Sequence, residues 1–185
     1  MRTSWVAAMT VACLCAAHPS AAQDKGKTAA AELTSESKAS LQQLYGTVPL
    51  AKAIGPKAQA ILVFPKVTKA GLGIGGQYGE GALLKQGAAV AYYKTTGASF
   101  GLQAGGQTYG YAMFFMNAKA LDEFQKASGF EVGVGPSVVL VDEGMAKSTT
   151  TTTMKDDIYA IIFGQKGLMA GLGIQGNKIT AITPK

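Results

Sequence analysis

The stretch "AGLGIGGQYGEGALL", residues 70–84, limits the fold more than any other part of the chain. It alternates as a strand does, with Leu72, Ile74 and Tyr78 on one side and Gly71, Gly73, Gly75 and Gly79 on the other. A strand face without side chains fills no core, and glycine weakens a strand that stands by itself. Such a face therefore implies another backbone or a helix packed very close, which is the preferred reading, or a ligand that approaches the main chain. The same texture returns as "GASFGLQAGGQ" (97–107) and "GLMAGLGIQGN" (167–177), so three glycine-patterned strands are expected in one antiparallel sheet. Their uneven spacing argues against a solenoid repeat.

Further strands are read in "AQAILVFP", a buried run ended by Pro65, and in "AAVAYYKTT", "TYGYAMFFM", "SVVLVDEG" and "DIYAIIFG", for seven or eight in all. The run "KSTTTTTMK" (147–155) is either an exposed loop or an edge strand. Three helices accompany them. Leu33, Leu41, Leu44, Tyr45 and Val48 share one face of an amphipathic helix over about 28–45. "PLAKAI" is a short second helix with Pro49 in its first turn and Gly55 as its C-terminal cap. In the third, Asn117 is the N-cap, Leu121 and Phe124 face inward and Gly129 ends the helix. The fold class expected is α+β: a single domain whose curved, mostly antiparallel, glycine-rich sheet packs with a few helices, one of them N-terminal and amphipathic.

Residues 1–22 are of a different kind. Arg2 gives a short positive start, "WVAAMTVACLCAA" is apolar, and "SAA" before Gln23 supplies small residues for cleavage, the pattern of a signal peptide. Residues 23–32 then read as a flexible leader and 33–185 as the domain, exported to the periplasm or cell envelope. A rival reading takes "TVAC" as a lipobox with Cys13 as a lipidated, membrane-anchoring N-terminus; Thr10 is an unusual residue there, and ordinary cleavage ranks ahead. Cleavage removes Cys13, Cys15 and His18, so neither disulfides nor thiolate or imidazole metal sites are expected. Beyond residue 22 no apolar run approaches the roughly 20 residues of a spanning helix. The formal charge of +6 is a mild positive bias that suits an anionic partner.

Two enzyme patterns are present and neither persuades. "GLGIGG" (71–76) fits a dinucleotide fingerprint, but its glycines sit inside a continuing strand and no acid follows at 91–96 to hold a ribose. "GASFG" (97–101) fits a nucleophile elbow at Ser99, yet a serine needs a base, the processed chain has no histidine, and the alternation after Ser99 is that of a strand. Asp142–Glu143 and Asp156–Asp157 lack the loop pattern of a calcium site and read as turn or helix-start residues. Arg2 is the only arginine and the lysines are dispersed, which speaks against nucleic acid. Glycine–aromatic alternation also suits an outer-membrane barrel, but the helices and the wholly apolar "AILVF" and "SVVLV" favour a packed core. The protein is read as no enzyme and as needing no cofactor.

In order, the amphipathic helix, "AQAILVFPKVTKAGLGIGGQYGEGALL", "GASFGLQAGGQ", "ALDEFQ" and "IYAIIFGQKGLMAGLGIQGNKI" resemble the SYLF domain family over about 33–182. The resemblance implies lipid binding: eukaryotic members bind phosphoinositides, and some bind actin, a role not expected of an exported chain. With no arginine in the amphipathic helix and only Lys38 and Lys27 near it, general anionic phospholipids are the expected partners. Candidate contacts are Lys66 and Lys69 flanking the turn after "ILVFP", Lys166 before "GLMAG", and Lys52 and Lys57 beside the second helix, with Leu168 and Met169 placed to dip into the acyl boundary. The alternative is a structural or protein-docking module of the envelope with an envelope protein as partner and no lipid affinity.

Overall fold

The computed structural model describes residues 21–131, 138–142, 156–167 and 177–185, without the side chains of 21–27, 72–74, 99–104 and 142. Residues 1–20 of the segment read as a signal peptide, "KSTTTTTMK", Leu168, Met169 and most of the third glycine-patterned stretch lie outside these residues. The elements run α1 (Ala21–Thr47), α2 (Pro49–Ile54), a single 3-10 turn (Gly55–Lys57), β1 (Ala60–Lys85), β2 (Ala88–Phe115), α3 (Ala118–Lys126), β3 (Phe130–Glu131), β4 (Val138–Asp142), β5 (Ile158–Gly167) and β6 (Lys178–Ile182). They form the expected α+β arrangement, one mostly antiparallel sheet with three helices.

Five of the strands read separately from the sequence are parts of two long ones, two in β1 and three in β2. β1 and β2 pair antiparallel from Ala60↔Phe115 to Lys85↔Ala88 and join through a two-residue turn in which Gln86 (φ 50°) and Gly87 (φ 79°) are both left-handed, the geometry that suits the twist of a hairpin. β1 does not end at Pro65. The ladder passes it by a bulge between Phe64 and Val67, which removes the need for the N–H that proline lacks. A second irregularity lies on β2, where Gly101, Leu102 and Gln103 stand opposite Gly73 alone; the expected alternation of β1 runs on, with Val67 and Leu83 on one face and Ala82 and Leu84 on the other. On its other edge β2 pairs with β5 through residues 107–115 and with β6 through 92–96; β3 extends the sheet beyond β6, and β4 lies parallel to β5.

The glycines explain how strands this long fit a small domain. β1 curls until its second half lies across its first: a Cβ added to Gly81 would sit 2.3 Å from the Val63 carbonyl oxygen, and one added to Gly79 2.8 Å from that of Lys66. The close approach is thus backbone on backbone within one strand, the first of the two readings of a side-chain-free face.

The curled sheet has a core on each side. The concave side holds Leu62, Phe64, Leu83, Tyr111 and Phe115, closed by Leu121 and Phe124 of α3. Phe124 is the hub of an aromatic group, with ring centroids 4.8 Å from Tyr93, 4.9 Å from Phe115 and 5.2 Å from Phe130. On the convex side Leu41, Leu44 and Val48 meet Ile61, Val63, Phe114 and Ile161, and α2 adds Leu50 and Ile54. The amphipathic stripe of α1 is therefore spent on the protein's own core. Ser37, one turn earlier, is fully buried and donates to the Val63 carbonyl at 3.4 Å.

Helix boundaries differ from the sequence reading in three places. α1 starts at Ala21, so the stretch 23–32 read as a leader has helical backbone. α3 ends at Lys126 with the extended Ala127 as its C-cap; Gly129 lies beyond it, where the Lys178 side chain occupies the place of a Cβ. Gly55 does follow α2, but with φ −50° it is no left-handed cap. Its missing side chain leaves room for Tyr45, whose hydroxyl would lie 2.2 Å and ring 2.7 Å from a would-be Cβ. The N-cap holds as expected: Asn117 Oδ1 accepts from the Ala120 N–H at 2.8 Å while its Nδ2 donates to Asp157 Oδ1 at 2.6 Å, fastening α3 to the start of β5.

Candidate functional site

The central strand is bulged against on both sides at one place. On one side Pro65 and Lys66 of β1 both face Gly110; on the other Gly164 and Gln165 of β5 both face Tyr109. Gly164 is left-handed (φ 62°), as the extra residue of a glycine bulge requires. Bulges bend a strand and re-aim its side chains, and these two turn Lys66 and Lys166 toward the same opening. An open cleft of about 440 Å³ results, walled by both lysines and Thr108, floored by Phe163, and overhung by Ser40 and Gln43 of α1, three residues apart and so on one helical face. Gly110 and Gly164 line it with bare backbone, and Gly110 is where Phe163 needs the room: a Cβ there would be 2.7 Å from the ring. Both lysines are exposed and none of the lining residues is acidic.

The candidate lysines thus part company. Lys66 and Lys166, a hundred residues apart in sequence, share the cleft. Lys52 on α2 and Lys57 on the 3-10 turn are exposed but do not line it. Lys69 is 7% exposed on the concave side opposite Gln107, in a continuing strand where a turn was expected. Leu168 and Met169 lie outside the described residues. Ser40, Gln43, Thr108 and Gly164 were missed. Only Pro65 inside a strand and the glycine ending "IIFG" signalled bulges in the sequence, and nothing in it pairs those two bulges across a strand.

A second polar group lies in the concave interior. The Tyr109 hydroxyl donates to Gln77 Oε1 at 2.8 Å, and Gln77 Nε2 donates to Asn177 Oδ1. Gly97 makes room for that amide pair, since a Cβ on it would meet Asn177 Oδ1 and Gln77 Nε2. Burial pushes the Tyr109 phenol up to about 12, offset in part by Asn177, and pushes Tyr111 further in the same direction. The Tyr111 hydroxyl, Thr95 Oγ1 and Asn177 Nδ2 are buried with no hydrogen-bond partner among the described residues.

The enzyme patterns take structural places. Ser99 pairs with Gly75 in the middle of the β1–β2 ladder, with no helix after it, so the strand-to-helix turn of an elbow is absent there. "GLGIGG" is strand throughout. Asp157 serves the α3 cap, and the Asp156 N–H donates to the Tyr159 hydroxyl at 2.8 Å. Among the described residues no group of three or more His, Cys, Asp or Glu gathers as a metal site would need, and no helix is long and apolar enough to cross a membrane.

Compared with known proteins, residues 96–183 match the family described as "Ysc84: Las17-binding protein actin regulator". The matched segment runs from the middle of β2 to just past β6 and contains the Thr108, Gly110, Phe163 and Lys166 walls of the cleft. No curated protein matches the chain.

Proposed function

Residues 96–183 belong to the Ysc84 (SYLF) family, one known for lipid- and actin-related binding, and on that premise we propose that this protein binds anionic phospholipid membranes without catalysing a reaction. The observation that carries the reading is the convergence of Lys66 and Lys166 on one acid-free cleft beside the neutral donors Ser40, Gln43 and Thr108. A lysine near an anionic surface contributes about 1 kcal/mol, so the two give about 2 kcal/mol, enough for reversible, salt-sensitive attachment. Lys52 and Lys57 add long-range attraction from outside the cleft. In this reading residues 1–22 direct export and the domain works at a membrane of the cell envelope, peripheral to it.

The test is co-sedimentation of the purified protein with vesicles of neutral or anionic phospholipid at low and high salt. Binding to anionic vesicles only, weakened by salt, is expected. Equal binding to neutral vesicles, or none at all, would refute the reading. A second reading, docking of an envelope protein, draws on the family description, which names a protein partner, and on the outer edge of β5, whose pairing with β4 ends at Ile162 among the described residues. It predicts indifference to lipid composition.

A further inference from the structure

The cleft is shaped for more than diffuse attraction to a charged surface. Resting on the lipid reading above, we infer that it takes one phosphate group of a single headgroup. Open as it is, its volume of about 440 Å³ falls in the range of small-molecule sites, roughly 300–1,000 Å³. A phosphate presents several oxygens in different directions and needs donors from more than one side. The two bulges supply an ammonium from each neighbour of β2, and the hydroxyls of Ser40 and Thr108 come from the helix above and the strand below. At Gly164, where nothing lies within 4 Å of a would-be Cβ, no side chain keeps an oxygen from the main chain. No carboxylate on the lining competes for the cations.

Phosphate of this kind is borne either by a lipid or by a soluble phosphomonoester, and two measurements separate the sources. In the first, glycerol 3-phosphate is titrated into isotope-labelled protein at constant ionic strength and amide shifts are followed. Saturating one-to-one shifts at Ser40, Thr108, Gly110 and Gly164 are expected, with affinity reduced about tenfold or more by combining Lys66→Gln with Lys166→Gln; both lysines are exposed, so the variant should fold. In the second, glycerol 3-phosphate is used to displace the protein from phosphatidylglycerol vesicles, against sodium chloride of equal ionic strength. Displacement beyond the chloride control supports the inference with a lipid as the source. Displacement no better than chloride, with no saturating shifts, overturns it and leaves surface attraction as the whole of the lipid reading. Saturating shifts without vesicle binding uphold the phosphate site, make its ligand soluble and refute the lipid reading instead.

Discussion

Gly81→Ala tests the crossing of β1 over itself at its tightest point. The added Cβ would lie 2.3 Å from the Val63 carbonyl oxygen, 2.9 Å from its carbon and 2.8 Å from Cδ1 of Phe64. Carbon–oxygen contacts normally settle near about 3.3 Å, so the shortfall is about 1 Å. The obstacle is main chain paired in register with Ala112, and it recedes only by disturbing the β1–β2 ladder. Overpacking typically costs about 1–3 kcal/mol, and a rigid neighbour places this case near the top. Alanine's lower unfolded-state entropy offsets about 0.5–1 kcal/mol, leaving a net loss of about 2 kcal/mol. At a urea dependence of about 2 kcal/mol/M the unfolding midpoint falls by about 1 M, and the melting temperature by about 4–8 °C. Gly46→Ala is the control: nothing lies within 4 Å of a Cβ at this α1 position, and it should stabilise by about 0.5–1 kcal/mol through helix propensity. Urea denaturation followed by circular dichroism measures both. If Gly81→Ala unfolds within about 0.5 kcal/mol of the parent, below the cost expected of overpacking, the self-crossing strand is refuted.

Replacing Lys66 and Lys166 together by glutamine should weaken binding to anionic vesicles about 30-fold, the equivalent of about 2 kcal/mol, whereas the Lys52/Lys57 pair should have a smaller effect; equal losses would mean that the cleft has no special part. Leu44→Ala, at a fully buried site under α1, should cost about 2–5 kcal/mol in urea unfolding. Stability should fall as pH rises from 10.0 toward about 12, because the buried Tyr109 phenol ionises only near 12 in the fold but near 10.0 when unfolded; below 10.0 this contribution is whole. Melting temperatures between pH 8 and 11.5 test this, and Tyr109→Phe should flatten the alkaline decline relative to the parent. Asn117→Ala should cost about 1 kcal/mol from the lost cap, more if Asp157 is left without its amide.

The glycine faces made the close packing legible without coordinates, because a strand with no side chains on one side has few uses other than contact with a backbone. Apart from the start of α1, which lies seven residues before the expected one, the helices were legible to within a turn because their cues are local: the spacing of Leu41, Leu44 and Val48, Pro49 at a first turn, Asn117 before Ala118. Local cues also misled. Pro65 looked like a strand end and Gly55 like a left-handed cap, yet one is absorbed in a bulge and the other yields space to Tyr45, both decided by residues distant in sequence or packed from another element.

For the same reason the sequence determined which lysines were available but not which of them meet. Lys66 and Lys166 become neighbours because bulges on two different strands fall beside adjacent residues, Tyr109 and Gly110, of a third. Lys69, three residues from Lys66, is turned into the concave interior by the same bulge and the pleat that follows it. Strand identity and helix faces follow from the short-range periodicity of side chains, which the chain carries everywhere. Register between strands is a long-range property, set by how the curled sheet closes on its own glycines, and only the tertiary structure decides it.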